Sequence, residues 1–282
     1  LAAWIELGGI SGVASRIAEV DPDLLLVTGG QTGRPLIMGL IVGSLGIGLG
    51  YVGQPHLLTR FMAIRRARDL RKGTLIAMSW VVVAFWGAVL VGIAGLAYFG
   101  VGGLEDTEHV MPQVATLFLP AGIAGVVISA AIAAMMSTAD SQLLVATSAL
   151  SEDIYHQLIN REAPQRRLVA ISRIGTVVIG IIAFVLALRA EEQVYWFVLY
   201  AWAGLGAAFG PGMVLSLWWK RTTKWGVFAG MVVGSVVSVV WHNVAALKDL
   251  VYELVPAFLL ALVAVVVVSL LTEPPGDVDL SD

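Results

Sequence analysis

The sequence predicts an all-α integral membrane protein with about seven membrane spans. Of its 282 residues, 58% are hydrophobic and 13% are charged, whereas ordinary soluble domains are about 45–50% apolar and about 25% charged. Seven stretches of the chain are long and apolar enough for membrane helices, which need about 20 such residues. The basic residues are concentrated in three of the loops between these stretches.

The spans are defined by stretches of about 18 or more residues that are almost free of charge. In chain order they are Pro35–Thr59, Gly73–Gly100, Ala121–Ser151, Leu168–Leu188, Gln193–Trp219, Trp225–Leu247 and Leu254–Leu271. The third contains Asp140. The fourth contains Arg173 near one end, from which a long side chain can reach the membrane interface.

The two ends of the chain are predicted to lie outside these spans. Residues 1–34 are interpreted as the end of a preceding helix followed by a short extracellular segment, and residues 272–282 as a short acidic tail. The chain begins at Leu1 without a methionine or the features of a signal peptide. We therefore expect it to begin inside a longer protein.

Charges alternate between successive loops. Basic side chains follow the first, third and fifth spans: Arg60, Arg65, Arg66, Arg68, Arg71 and Lys72; Arg161, Arg166, Arg167 and Arg173; and Lys220, Arg221 and Lys224. The loops after the second and fourth spans instead contain Glu105, Asp106, Glu108, Glu191 and Glu192. Because basic loops stay cytoplasmic, the three basic loops and the C-terminal tail are expected on the cytoplasmic side of the cell membrane.

Several function classes do not fit this composition. The chain has no cysteine, and its four histidines show no ligand spacing, so thiolate metal sites are excluded. Every lysine lies in a loop, which argues against a retinal protein. The sequence shows no cluster of a nucleophile, a general base or metal ligands, which an enzyme would need. We expect neither an enzyme, an organic cofactor nor a nucleic-acid partner.

The first span contains an unusual segment, Leu45–His56, with four glycines and one proline. Each glycine inside a helix costs about 1 kcal/mol relative to alanine, and proline removes a backbone hydrogen bond. The pattern predicts a broken helix whose freed backbone groups can bind a polar solute. Alternatively, Gly46 and Gly50 form a small-residue face for close helix packing.

The fifth span has a similar segment, Ala203–Gly212, which predicts either a hinge or close packing.

The third span contains a polar cluster at Ser137, Thr138, Asp140 and Ser141. An ionised aspartate at the centre of a membrane helix costs about 2.5–3.5 kcal/mol on insertion scales, so it indicates function. The three hydroxyls lie on or near one helix face. Together with the Ala134 carbonyl they would form half of a neutral oxygen cage suited to Na⁺. Alternatively, the hydroxyls only bond back to the preceding helical turn.

These residues resemble a known family. The segment from Ala134 to Leu144, continuing through Ser151–Tyr155, resembles the signature of the sodium/solute symporter family. Three further segments resemble the sodium/proline branch of this family. They are Gly50–His56, Arg60–Met62, and Tyr200–Gly204 with Ala207–Pro211. The resemblance covers about Pro35 to Leu271.

The resemblance implies the inverted-repeat fold of leucine-transporter-like proteins. Residues 35–219 would be its second five-helix repeat and residues 220–271 two peripheral helices, and the N-terminal repeat of the same polypeptide would be missing. It also implies a sodium site that takes from this chain the Ala134 carbonyl, Ser137 and Thr138. Asp140 and Ser141 would hold a second sodium or have a structural role.

The implied function is sodium-coupled secondary active symport of a small organic solute across the lipid bilayer by alternating access. Tyr51, Gln54 and Pro55 match the solute-binding segment, which makes proline the first candidate solute. Ile47 stands where this branch has a tryptophan, and this difference favours another small amino acid or a carboxylate as the alternative. A transporter-like membrane sensor that does not transport is a further alternative.

Overall fold

The computed structural model describes residues 1–189 and 193–274, and the regular secondary structure of these residues is helical. The α-helices are α1 Ala2–Glu6, α2 Gly9–Val20, α3 Ser44–Ile47, α4 Pro55–Met62, α5 Ala67–Phe99, α6 Val110–Phe118, α7 Ala121–Ser148, α8 Gln165–Ala187, α9 Val194–Trp218, α10 Lys224–Asn243, α11 Ala245–Lys248 and α12 Leu254–Leu271. Tight 3₁₀ turns form Pro22–Leu25, Gly48–Gly53 and Thr107–His109. Wider π-helical turns form Pro35–Gly43 and Ala149–Ile159.

Seven helical segments of the described residues are long and apolar enough to cross a membrane. They are Pro35–Gly53, Ala67–Phe99, Ala121–Ile159, Gln165–Ala187, Val194–Trp218, Lys224–Asn243 and Leu254–Leu271. The prediction of an all-α multi-pass membrane protein with seven spans is therefore confirmed.

The structure corrects some predicted boundaries. The second spanning helix begins at Ala67 rather than at Gly73, so Arg68, Arg71 and Lys72 lie in its first turns. A search for uncharged stretches places such a helix start too late, because charged side chains are good helix formers. The predicted tail 272–282 is described only to residue 274, and Glu191 and Glu192 also lie outside the described residues.

Residues 1–34 contain more structure than the predicted helix end and short polar segment. Helix α2 spans Gly9–Val20 and buries Val13 and Ile17, which are one turn apart on the same face. This helix is amphipathic and only 12 residues long, so a criterion based on long apolar stretches does not detect it.

The described residues divide into two compact units, one of residues 1–30 with 64–189 and the other of residues 31–63 with 193–274. In the first unit, α1 and α2 pack with α5 and α6 around a small core that includes Leu7, Val13 and Ala94. The Trp4 indole N–H donates a hydrogen bond to the Leu90 carbonyl at 3.0 Å, which ties α1 to α5. The second part of this unit is the pair α7 and α8, and Thr147 of α7 is fully buried beside Gly175 of α8.

In the second unit, α9, α10 and α12 pack around Ala203, Ala207, Leu254 and Phe258. Small residues allow this close packing. Gly226, Gly230 and Gly234 recur every four residues along α10, and a Cβ at any of them would overlap atoms of α12 or α9. Helix α9 continues through Pro211 without a break. Of the two interpretations of the glycine-rich fifth span, the structure thus supports close packing.

At one end of this unit, polar side chains stabilise the packing of the helices. His242 of α10 and the buried Glu253 before α12 approach within 3.3 Å. The Tyr252 hydroxyl donates to the Leu199 carbonyl of α9 at 2.6 Å. Burial, followed by the charge of Glu253, raises the pKa of Tyr252 above its ordinary value.

Candidate functional site

The first spanning segment is broken, as the sequence predicts. Its helical turns change from wide at Pro35–Gly43 to regular in α3 and tight at Gly48–Gly53. Gln54 is extended, with φ −83° and ψ 111°, and α4 begins at Pro55. Proline suits this first helical position, because its ring fixes φ and the missing N–H would have no partner inside the helix. Residues Gly48–Gly53 leave the regular α-helical winding for 3₁₀ turns just before this break, and in this sense we call them the unwound segment.

The unwound segment is also a packing face. A Cβ at Gly53 would lie 2.7 Å from the Gly206 carbonyl oxygen, and a Cβ at Gly206 would lie 2.7 Å from the Gly50 Cα. A Cβ at Gly50 would overlap the Trp202 indole, and one at Gly46 would overlap Val255. The broken helix and the small-residue face, which the sequence presents as alternatives, are thus both present.

The three predicted solute-site residues are in different surroundings. Tyr51 is 49% exposed and contacts the Trp202 ring edge-to-face, with 4.7 Å between ring centroids. Gln54 is only 1% exposed, and its amide Nε2 donates to the Trp202 carbonyl at 3.2 Å. Pro55 is half-buried at the start of α4. Tyr51 can therefore meet a solute directly, whereas the Gln54 amide is engaged inside the unit.

Sequence reasoning missed one residue of this group, Trp202 of α9. Its indole N–H donates to the Ile47 carbonyl at 3.0 Å, and its own carbonyl accepts from Gln54. The only signal in the sequence was its place in the motif Tyr200–Gly204. That motif does not reveal a contact with a residue 148 positions earlier in the chain.

The polar cluster lies on α7. The Ala134 carbonyl accepts from the Ser137 hydroxyl at 2.8 Å and from the Thr138 hydroxyl at 3.4 Å. Ser141 donates to the Ser137 carbonyl at 2.8 Å. This is the back-bonding that the alternative interpretation expects. Each hydroxyl uses its proton in this bond and keeps oxygen lone pairs that can accept a cation.

The cluster differs in exposure from another back-bonded hydroxyl of α7. The side chains of Ser137, Thr138 and Asp140 are exposed on α7, whereas Thr147 on the same helix is fully buried. Thr147 makes the same kind of back-bond, to the Leu143 carbonyl at 2.8 Å. The cluster is thus a polar surface in the middle of a spanning helix. It belongs to the first unit, and Tyr51, Gln54 and Pro55 belong to the second.

Comparison with known proteins identifies the family. The family model described as "Sodium:solute symporter family" matches residues 1–234, which is more than half of the chain. The chain belongs to the sodium:solute symporter family. The resemblance seen in the α7 motif and in the broken first span is confirmed.

Similar proteins of this symporter family include named proline transporters. The "High-affinity proline transporter PutP" of Bacillus subtilis is 40% identical over 278 residues, which cover 98% of this chain and 58% of that protein. The "Osmoregulated proline transporter OpuE" of the same organism is 39% identical over 280 residues, covering 98% and 56%. The "Sodium/proline symporter" of Escherichia coli is 39% identical over 242 residues, covering 84% and 48%. The chain therefore spans about half the length of the curated relatives it matches.

Proposed function

We propose that this chain forms part of a sodium-coupled symporter that carries proline across the cell membrane by alternating access. The observation that carries this proposal is its identity of about 40% with two named proline transporters over 98% of the chain. The break at Gln54, between the 3₁₀ turns and α4, supports it, because a broken membrane helix can present backbone groups to a polar solute.

In this proposal, α7 supplies half of a sodium site. The Ala134 carbonyl and the hydroxyls of Ser137 and Thr138 present neutral oxygens on one exposed surface, and Na⁺ is a hard cation that prefers oxygen ligands. Asp140 and Ser141 lie one turn further along α7. They either hold a second sodium or stabilise the contact between α7 and the element that covers it.

Tyr51 is our candidate wall of the solute site, and Pro55 begins the helix that follows it. We assign Gln54 to holding the unwound segment rather than to the solute, because its amide is buried against α9. Ile47 leaves the site without the aromatic side chain expected at that position. The experiment below therefore includes solutes other than proline.

The remaining ligands must come from elsewhere in the protein. An exposed Asp140 in the middle of a spanning helix would be costly against lipid, so we infer that another element covers this surface. We propose that residues 35–219 are the second repeat of an inverted-repeat fold, that residues 220–271 are peripheral, and that the relatives' additional length contains the covering repeat. The three basic loops would be cytoplasmic.

Coupling then follows from linkage. Sodium bound at α7 and solute bound beside the unwound segment must favour the same state of the protein, so each raises the affinity of the other by the same factor. The membrane potential contributes about 2.3 kcal/mol per 100 mV for each charge that moves inward.

The test is uptake of labelled proline, and of a panel of small amino and carboxylic acids, by cells that lack their own proline transporters. The cells express a chimera in which this chain replaces the matching part of Bacillus subtilis PutP. We expect sodium-dependent uptake. Ser137→Ala or Thr138→Ala should raise the sodium concentration for half-maximal rate about tenfold, because each removes one oxygen ligand; that change corresponds to about 1.4 kcal/mol of sodium binding free energy.

The matched control is Thr176→Ala on α8, which removes an exposed hydroxyl that makes the same back-bond, to the Ser172 carbonyl at 3.0 Å. It should leave uptake unchanged. Absence of sodium-dependent uptake of every solute tested, at membrane levels equal to those of PutP, would refute the proposal.

A further inference from the structure

We propose that Trp202 is a positioning residue that holds both ends of the unwound segment and thereby sets the solute affinity of the site. This inference rests on the proposed function, because it assumes that a solute binds beside Tyr51. Trp202 lies on α9, a different helix from the one that it holds.

The first contact is made by the side chain of Trp202. Its indole N–H donates to the carbonyl of Ile47 at 3.0 Å. Ile47 is the last residue of α3, immediately before the turns tighten at Gly48. The hydrogen bond therefore fixes the backbone at the point where the unwound segment begins.

The second contact is made by the main chain of Trp202. Its carbonyl accepts from the Gln54 amide at 3.2 Å, and Gln54 is the extended residue immediately after the unwound segment. Gln54 is 1% exposed, so an unpaired amide there would lose its hydrogen bond without gaining one from water. One residue of α9 thus holds the chain just before and just after the segment.

The third contact fixes the position of a ring. Trp202 meets the Tyr51 ring at an interplanar angle of 79°, in the edge-to-face arrangement that aromatic pairs favour. It can lie there because residue 50 is glycine, since any Cβ would overlap the indole. Tyr51 is the exposed member of the pair and is the residue that we expect to meet the solute.

These contacts matter because the held segment, Gly-Leu-Gly-Tyr-Val-Gly, is half glycine. Glycine loses more conformational entropy than any other residue when its backbone is fixed. A site built on such a segment binds weakly if only a fraction of the molecules hold the competent conformation, since the apparent dissociation constant rises in inverse proportion to that fraction. Without the indole contacts of Trp202, the solute would have to supply more of the order of this segment.

The decisive variant is Trp202→Phe, which keeps an aromatic ring beside Tyr51 but removes the indole N–H. Its control is Trp80→Phe on α5, the same chemical change at a side chain that is 72% exposed. In the chimera, we expect Trp202→Phe to raise the solute KM about fivefold, with the maximal rate and the half-saturating sodium concentration within twofold of the parent. Trp80→Phe should change none of the three.

A second readout does not depend on transport. The chain has no cysteine, so Gly48→Cys gives a single attachment point for a nitroxide, and a Cβ at Gly48 meets no atom within 4 Å. In the chimera in lipid nanodiscs, with any cysteine of its PutP part replaced, we expect Trp202→Phe to increase the mobility of this nitroxide. A nitroxide at Gly180→Cys on α8, where a Cβ also meets no atom within 4 Å, should not respond.

The outcomes separate this inference from the proposed function. A parent chimera that transports no solute refutes the proposed function. The nitroxide measurement would still test whether Trp202 holds the unwound segment. An unchanged KM in a transporting chimera, or an unchanged nitroxide spectrum, overturns the inference. If Trp202→Phe fails to fold, Gln54→Met serves instead, because it removes only the second hydrogen bond and should raise both the KM and the nitroxide mobility.

Discussion

At the scale of single residues, the hydroxyls of α7 share one local geometry, although we propose different roles for them. Ser137 and Thr147 both donate to a carbonyl of the preceding turn at 2.8 Å. They differ in burial, since Thr147 is fully buried and Ser137 is exposed. The two side chains should therefore have separable effects on stability and on sodium.

We predict that Thr147→Ala lowers the free energy of unfolding by about 1 kcal/mol, because it removes buried packing and a hydrogen bond, whereas Ser137→Ala changes it by less than about 0.5 kcal/mol. Unfolding of the purified chimera in detergent measures both values. For the half-saturating sodium concentration of the chimera, we predict the reverse order, with Ser137→Ala having the larger effect. Equal effects of the two variants on both quantities would contradict this division of roles.

The residue scale also shows where sequence reasoning stops. The sequence predicted the polar cluster of α7 and the break in the first span, because both depend on residues close together in the chain. It predicted Gln54 as a solute-binding residue, whereas we propose a holding role from its burial and its hydrogen bond to the Trp202 carbonyl. Neither the partner of Gln54 nor the role of Trp202 can be read from spacing, since their contact depends on how α9 packs on the unwound segment.

At the scale of helices, glycine explains the packing of the second unit. Two glycines of α9 that are two residues apart have opposite surroundings. A Cβ at Gly206 would lie 2.7 Å from the Gly50 Cα and 3.1 Å from Leu254, whereas a Cβ at Gly204 would meet no atom within 4 Å. The first is required by close approach of the backbone, and the second is not.

We predict that Gly206→Ala destabilises the chain by about 1–3 kcal/mol, as overpacking does. Gly204→Ala is the matched control and should be neutral or stabilising by up to about 1 kcal/mol, because alanine is the better helix former. Unfolding of both variants in the same detergent provides the comparison. Equal stability of the two variants would show that α9 does not pack on Gly50 as described.

Helix existence was easier to predict than helix ends. All seven spans follow from long apolar stretches. The early start of α5 at Ala67 and the whole of α2 were missed, because charged first turns and short amphipathic helices do not appear as apolar stretches. These ends matter for the loops, since they place Arg68, Arg71 and Lys72 on a helix that continues into the membrane.

At the scale of the whole molecule, the charges of the loops predict how the chain is oriented in the membrane. Ala63 lies in the basic loop and Val101 in the acidic loop, and both side chains are exposed. Under the positive-inside rule these loops lie on opposite sides. Since the chain contains no cysteine, a single introduced cysteine reports its own location without background from other residues.

We predict that a membrane-impermeant maleimide labels Val101→Cys in intact cells and labels Ala63→Cys only after the cells are permeabilised. The reason is that moving the basic loop outward would oppose both the membrane potential and the anionic inner leaflet. Labelling of each cysteine in detergent is the control for reactivity. The reverse pattern would invert the topology and place the α4 end of the broken span outside.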